Sequence, residues 1–168
     1  GHAVLLQALR GLQGPRGRRW HLHCVGSLAR APATAAAVQQ QAARLGLAGR
    51  VTWHGEVDAA RLQALYAQAD LFVLPSFHEG YGMALAEAMA HGLPVLSCAA
   101  GAIAETVPAS AGVLVPAGDA QALGAVQCQW CSAHPCNSLC SSCSAHTGPV
   151  PRNSSECTSA RAPEMVVE

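Results

Sequence analysis

LFVLPSFHEGYGMALAEAMAHGLPVL, residues 71–96, carries the signals for a strand, a loop, a helix and a second strand in succession. The apolar run at 71–74 has the length of a buried strand, and Pro75 ends it. Residues 82–91 are mostly good helix formers, and Gly92 is a typical helix stop before the next apolar run. We therefore predict an α/β unit whose loop follows the first strand, where open parallel sheets bind ligands.

Two glutamates lie at the start of the predicted helix. Glu79 is in the loop and Glu87 is in the helix, with seven residues between them. On a helical wheel Leu85, Ala88 and Met89 form one apolar face, and Glu87 lies almost opposite that face. We therefore expect the Glu87 side chain to face whatever approaches the start of the helix.

The backbone at this helix start is also suited to a ligand. The N–H groups of residues 80–84 are the free donors of a helix N-terminus and favour an anion. Together with the carboxylates of Glu79 and Glu87, they would hold a phosphate-bearing ligand with hydroxyl groups. The alternative is that Glu79 caps the helix and Glu87 is simply solvated, as the helix dipole often favours.

The same stretch resembles a known family. The strings EGYGM at 79–83, EAMA at 87–90 and GLPV at 92–95 resemble the EX7E donor-site signature of retaining glycosyltransferases of family 4, which have the GT-B fold. The resemblance implies that Glu87 binds the ribose hydroxyls of a sugar nucleotide. It implies that Glu79 contacts the donor sugar and that the glycine loop holds the diphosphate.

The resemblance implies further donor-site positions in other loops. The implied catalytic residues are Glu79 and Glu87, and the implied donor-binding residues are Gly26, Ser27, His54, Gly55, His78, Gly80, Tyr81, Gly82, Met83, Ala84 and Glu105. Some of these have equally ordinary interpretations. His54 could be a loop histidine bonded to backbone, and Glu105 could serve only to favour the start of a short helix.

Other predicted elements alternate between helix and strand along the chain. They are helices at 4–9, 32–45 and 58–70, strands at 20–25, 50–53 and 112–115, and a last helix that begins after Pro116. On the strand at 20–25, His21 and His23 alternate as metal ligands do, but no third ligand is near in sequence. We expect these two histidines to be surface or partly buried residues.

Composition divides the chain into two parts. Residues 1–126 are predicted to form a Rossmann-like parallel sheet with helices on both faces, the donor-binding half of a GT-B enzyme. Residues 127–168 are rich in Cys, Ser and Pro and lack apolar periodicity, so we predict an irregular, disordered tail. Cys24 and Cys98 in predicted strands fit buried thiols in a reducing cytoplasm.

The cysteine-rich tail allows an alternative interpretation as a metal module. Cys128 with Cys131 and Cys140 with Cys143 have the spacing of zinc ligands. A zinc module usually also has a few apolar residues that cover the metal, and here only Trp130 and Leu139 are available. We therefore favour the disordered tail, which could be an out-of-frame extension, over a zinc site.

The net charge and the basic residues of the chain limit the ligands and site residues that we expect. The 168 residues have a formal net charge of zero, which gives no support for binding to nucleic acid or to a membrane surface. No apolar run has the length of a membrane span, and we do not expect the segment GHAVLLQALR at residues 1–10 to be a signal peptide. Every basic residue is Arg, whereas the family usually pairs an Arg and a Lys at the donor phosphates. We expect an amino-terminally truncated chain that lacks those residues and the acceptor domain.

The resemblance implies transfer of a sugar from a UDP-, GDP- or ADP-sugar to an acceptor hydroxyl with retention, without a metal or other cofactor. Alone, the chain is expected to bind a sugar nucleotide weakly and to turn over nothing. Two alternatives stay open. The chain could be a noncatalytic interaction module that carries the Cys-rich tail, or a truncated product with no function.

Overall fold

The computed structural model describes residues 1–13, 20–133 and 162–167. The helices in these ranges are α1 (His2–Arg10), α2 (Pro32–Arg44), α3 (Ala59–Gln68), α4 (Met83–Ala90), α5 (Ile103–Thr106) and α6 (Ala120–Ala133). The strands are β1 (His21–Val25), β2 (Val51–Gly55), β3 (Leu71–Leu74), β4 (Val95–Cys98), β5 (Gly112–Val115) and β6 (Glu164–Val167). The alternation of helix and strand predicted from the sequence is confirmed up to β5.

The strands form one six-stranded parallel sheet in the order β2-β1-β6-β3-β4-β5. This is the doubly wound arrangement 3-2-1-4-5-6, with β6 in the place of the first strand. Helices α1, α2 and α6 cover one face of the sheet, and α3, α4 and α5 cover the other. The predicted Rossmann-like fold is therefore confirmed.

The two cores follow from the alternation of side chains along each strand. In β3, Leu71 and Val73 belong to the core under α1, whereas Phe72 and Leu74 belong to the core under α3 and α4. All four side chains are buried, as is usual for a central parallel strand with helices on both faces.

Helix α6 and strand β6 correct the prediction of an irregular tail at residues 127–133 and 164–167, whereas residues 134–161 and 168 of that tail lie outside the described residues. Helix α6 continues to Ala133, and its fully buried Gln127 lies against the sulfur of Met165 at 3.9 Å. Strand β6 pairs with both β1 and β3, and Met165, Val166 and Val167 are completely buried. The signal in the sequence is the short run of apolar and β-branched residues, which is typical of a buried parallel strand.

Candidate functional site

The carboxyl ends of the parallel strands meet at one edge of the sheet, here called the carboxyl edge, and the predicted site residues lie there. Gly26 and Ser27 follow β1, His54 and Gly55 end β2, and the segment 78–84 lies between β3 and α4. Glu105 lies in α5, just after β4. The loops after β1 and β2 are joined, because the N–H of Gly26 donates to the carbonyl of Gly55 at 2.9 Å.

Glu79 and Gly82 fix the start of helix α4. The N–H of Gly82 donates to Oε1 of Glu79 at 3.2 Å. Gly82 has a φ of +67°, in the left-handed region, and a Cβ there would lie 3.2 Å from the Thr106 side chain. Glycine is therefore required at this position. The capping interaction considered for Glu79 is present, and it occupies one of the two carboxylate oxygens.

A second contact fixes the loop between β3 and α4 to the turn that follows β4. The carbonyl of Glu79 accepts a hydrogen bond from the N–H of Ala102 at 3.0 Å. Gly101, with a φ of +58°, leaves room for the Glu79 backbone, since a Cβ on Gly101 would lie 2.3 Å from the Glu79 carbonyl oxygen. The sequence indicated a turn at Gly101 but not that this turn supports Glu79.

The start of α4 presents unpaired donors and exposed side chains. Among the described residues, the N–H groups of Met83, Ala84 and Leu85 make no hydrogen bond, as expected for the first turn of a helix. Three large side chains near them are exposed: Phe77 at 60%, Tyr81 at 86% and Met83 at 77%. Single exposed apolar residues are common, and these three all lie within residues 77–83, the segment that leads into α4.

Glu87 lies on the solvent side of α4. Leu85 and Ala88 are fully buried on the opposite side, as the helical wheel predicted, and Glu87 is exposed. His78 and Glu105 are also exposed, and Ser27 is half-buried. None of these side chains is packed into the core.

His54 belongs to a hydrogen-bonded group of histidines on the face of the sheet that carries α3. Its Nε2 lies 2.9 Å from Nδ1 of His23, and Nε2 of His23 lies 2.9 Å from Oε2 of Glu164. Nε2 of His21 lies 2.8 Å from the hydroxyl oxygen of Thr52. His21 and His23 are half-buried, as predicted, and their partners come from strands far away in sequence. The sequence therefore could not reveal this group.

Burial and neighbouring charged groups both lower the pKa of His54. Burial, and then the neighbouring His23, Arg61 and His21, lower the pKa of His54 below its usual 6.5. Burial and the neighbouring His23 likewise lower the pKa of His21. Both rings are therefore held neutral at physiological pH.

Cys24 and Cys98 are free and buried, and burial raises the pKa of Cys24 to about 12.

The described part of the chain contains neither a metal-binding cluster nor a membrane-spanning helix. No group of three or more His, Cys, Asp or Glu side chains there is arranged to hold a metal ion. Of the proposed zinc ligands, Cys140 and Cys143 lie outside the described residues, and the side chains of Cys128 and Cys131 are not described. None of the described helices has the length and apolarity that crossing a bilayer requires.

A cavity of about 220 Å³ lies at the opposite edge of the sheet from the predicted site. Its lining is mostly apolar and comes from the amino ends of β3 to β5, from residues 109–111 and from Val126. It contains neither carboxylates nor unpaired helix donors. The chemistry described above therefore belongs to the carboxyl edge and not to this cavity.

Comparison with solved structures finds the same fold in larger proteins. A glycosyltransferase from Rickettsia africae superposes with a TM-score of 0.71 at 27% identity, over 79% of this chain and 34% of that one. The Anabaena protein HepE, solved in complex with UDP, superposes with a TM-score of 0.66 at 30% identity, over 77% of this chain and 35% of that one.

Comparison with characterised sequences gives the same result. The D-inositol 3-phosphate glycosyltransferase of Xylanimonas cellulosilytica is 35% identical over 107 residues, which are 64% of this chain and 25% of that protein. Similar proteins of the same description from Mycobacteroides abscessus and Streptomyces griseus are covered over 18% and 14% of their lengths. This chain thus spans a quarter or less of these relatives.

The model of the family Glycosyl transferases group 1 matches residues 1–131. The chain therefore belongs to the group 1 glycosyl transferases.

Proposed function

We propose that residues 1–126 form the donor-binding part of a retaining, family 4 type glycosyltransferase that uses a UDP-, GDP- or ADP-sugar. The observation that carries this proposal is the start of α4, where unpaired N–H groups follow Glu79 in the loop and precede the exposed Glu87 along the helix. A helix N-terminus attracts a diphosphate, and carboxylates accept hydrogen bonds from sugar hydroxyls. The UDP bound to the relative HepE is a ligand of this class.

Each part of this site has a distinct role in the proposal. The N–H groups of Met83 and Ala84 bind the diphosphate and stabilise the negative charge that develops on it as the glycosidic bond breaks. Glu87 accepts hydrogen bonds from the ribose hydroxyls. Glu79 keeps one carboxylate oxygen on Gly82 and uses the other to contact the donor sugar. No metal ion is needed for these roles.

Isothermal titration calorimetry of the chain with UDP, GDP and ADP and their sugar conjugates tests the proposal. Glu87→Gln should weaken binding of the preferred nucleotide roughly tenfold, since hydrogen bonds to charged groups contribute about 1.5–3 kcal/mol. Ala90→Gln introduces the same side chain at an exposed position near the end of α4 and should leave binding unchanged. Equal affinity of the two variants, or no binding by the unmodified chain, would contradict the assignment.

The complete reaction also needs a site for the acceptor. Because this chain spans a quarter or less of its characterised relatives, we assign the acceptor site to a part of the protein outside residues 1–168. The chain should therefore bind donor without transferring sugar. Multiple turnovers by the isolated chain would refute this assignment. The free thiols of Cys24 and Cys98 are in keeping with a cytoplasmic location.

A further inference from the structure

A chain of hydrogen bonds crosses three strands of the sheet and ends at the candidate site. It runs from Oε2 of Glu164 on β6 to Nε2 of His23 on β1, at 2.9 Å, and from Nδ1 of His23 to Nε2 of His54 on β2, also at 2.9 Å. The side chains of His23 and Glu164 are 18% and 20% exposed. We call Glu164, His23 and His54 the relay.

The chemistry of these groups fixes where the hydrogens lie. An ionised carboxylate only accepts hydrogen bonds, so Nε2 of His23 must carry the hydrogen that it donates to Glu164. A neutral His23 then has its lone pair on Nδ1, and Nε2 of His54 must carry the hydrogen between the two rings. A neutral His54 is thereby left with its lone pair on Nδ1.

That remaining nitrogen is available to a ligand. Nδ1 of His54 makes no hydrogen bond within the part of the chain described, and it is not among the polar atoms sealed from solvent. His54 is next to Gly55, whose carbonyl ties the β2 loop to Gly26 at the carboxyl edge. The relay therefore presents a hydrogen-bond acceptor of fixed identity at the edge where the nucleotide is proposed to bind.

We propose that the relay makes His54 a specificity-determining residue that accepts a hydrogen bond from a ring N–H of the donor's base. Uracil and guanine have a ring N–H between or beside carbonyl groups, whereas adenine has none on its six-membered ring. His23 and Glu164 act as positioning residues, because they set the tautomer of His54 without touching the base. This inference rests on the proposed function and goes beyond it by choosing among the three possible bases.

The relay also makes recognition dependent on pH. If His54 takes up a proton, its Nδ1 carries a hydrogen and can no longer accept one. The acceptor then becomes a donor, so acid should weaken binding. The titratable and charged groups that face the pair in the described structure are His21, Arg61 and Glu164. Because burial, His23 and Arg61 lower the pKa of His54, its neutral form predominates at pH 7 and is lost only below the usual pKa of 6.5.

Nitrogen-15 NMR of the histidine rings, combined with calorimetry, tests the inference. At pH 7.5 the free chain should show His54 protonated on Nε2 and unprotonated on Nδ1. UDP or GDP should bind roughly three- to tenfold more tightly than ADP, the range expected for one hydrogen bond. Glu164→Gln removes the fixed acceptor, because an amide can donate as well as accept, so His54 should become a mixture of tautomers and this preference should shrink.

Two further variants make the result decisive. His23→Leu breaks the relay at β1 and should have the same effect as Glu164→Gln. Because this second substitution does not lie in β6, agreement between the two variants excludes a folding defect near β6 as the cause. Thr52→Val removes the neighbouring bond to His21 and should change neither the tautomer nor the preference. Nucleotide binding with a proton on Nδ1 of His54, or an unchanged preference in both relay variants, overturns this inference alone. Absence of all nucleotide binding overturns the proposed function and this inference together.

Discussion

Gly101 is the residue on which the position of Glu79 depends most directly. It has a φ of +58°, and it lies so close to the Glu79 backbone that an added Cβ would be 2.3 Å from the carbonyl oxygen. Contacts of this kind are not visible in the sequence, because they join two loops that follow different strands. They show that one glutamate of the candidate site is held by its main chain as well as by its carboxylate.

Gly101→Ala should therefore destabilise the fold by roughly 1–3 kcal/mol and weaken nucleotide binding, since it combines an unfavourable φ with a backbone clash. Gly11→Ala is the matched control: Gly11 has a φ of −60° and open space around its Cβ position. That variant should be neutral or slightly stabilising. Urea unfolding gives the free energies of unfolding, and a Gly101→Ala protein as stable as the control would contradict the described contact.

The elements show how far sequence patterns predict this fold. Strand β3 and helix α4 were predictable because each is defined by its own residues: a four-residue apolar run, and a series of good helix formers ended by Gly92. Strand β6 was missed because its apolar run is too short to show periodicity and follows a long Cys-rich segment. The histidine group was missed for a related reason, since strand pairing and not sequence distance brings His23 to Glu164.

Helix α3 offers a test of local structure away from the site. Asp58 caps this helix by accepting a hydrogen bond from the N–H of Arg61 at 2.7 Å. Asp58→Ala should lower the free energy of unfolding by roughly 0.5–2 kcal/mol, because it leaves that donor without a capping partner. Asp58→Ser keeps a capping oxygen and should retain most of the stability. Chemical denaturation distinguishes the two, and similar losses in both variants would show that the cap itself is not responsible.

At the scale of the whole molecule, β6 joins two halves of the sheet. Strands β2 and β1 lie on one side of it, and β3, β4 and β5 lie on the other. Three of its four side chains are fully buried, and each such burial contributes about 1.5–3 kcal/mol. Folded proteins have a net stability of only about 5–15 kcal/mol, so truncating any one of these side chains should remove a sizeable part of it.

Met165→Ala should reduce the free energy of unfolding by roughly 2–5 kcal/mol, because it leaves a cavity between β6 and α6. The control is Val113→Ala on β5, where the side chain is 49% exposed and the change should be within about 0.5 kcal/mol. Thermal and urea unfolding measure both. A Met165→Ala protein as stable as the Val113→Ala protein would mean that residues 164–167 do not occupy the middle of the sheet.

The place of β6 in the chain has a consequence for biosynthesis. During translation, residues 21–25 and 71–74 leave the ribosome long before the strand that must separate them. Until then, β1 and β3 each present an open edge, and such edges readily pair with other strands. The nascent polypeptide therefore cannot form the sheet described here before residues 164–167 have left the exit tunnel, and until then both edges stay open to unwanted pairing with other strands.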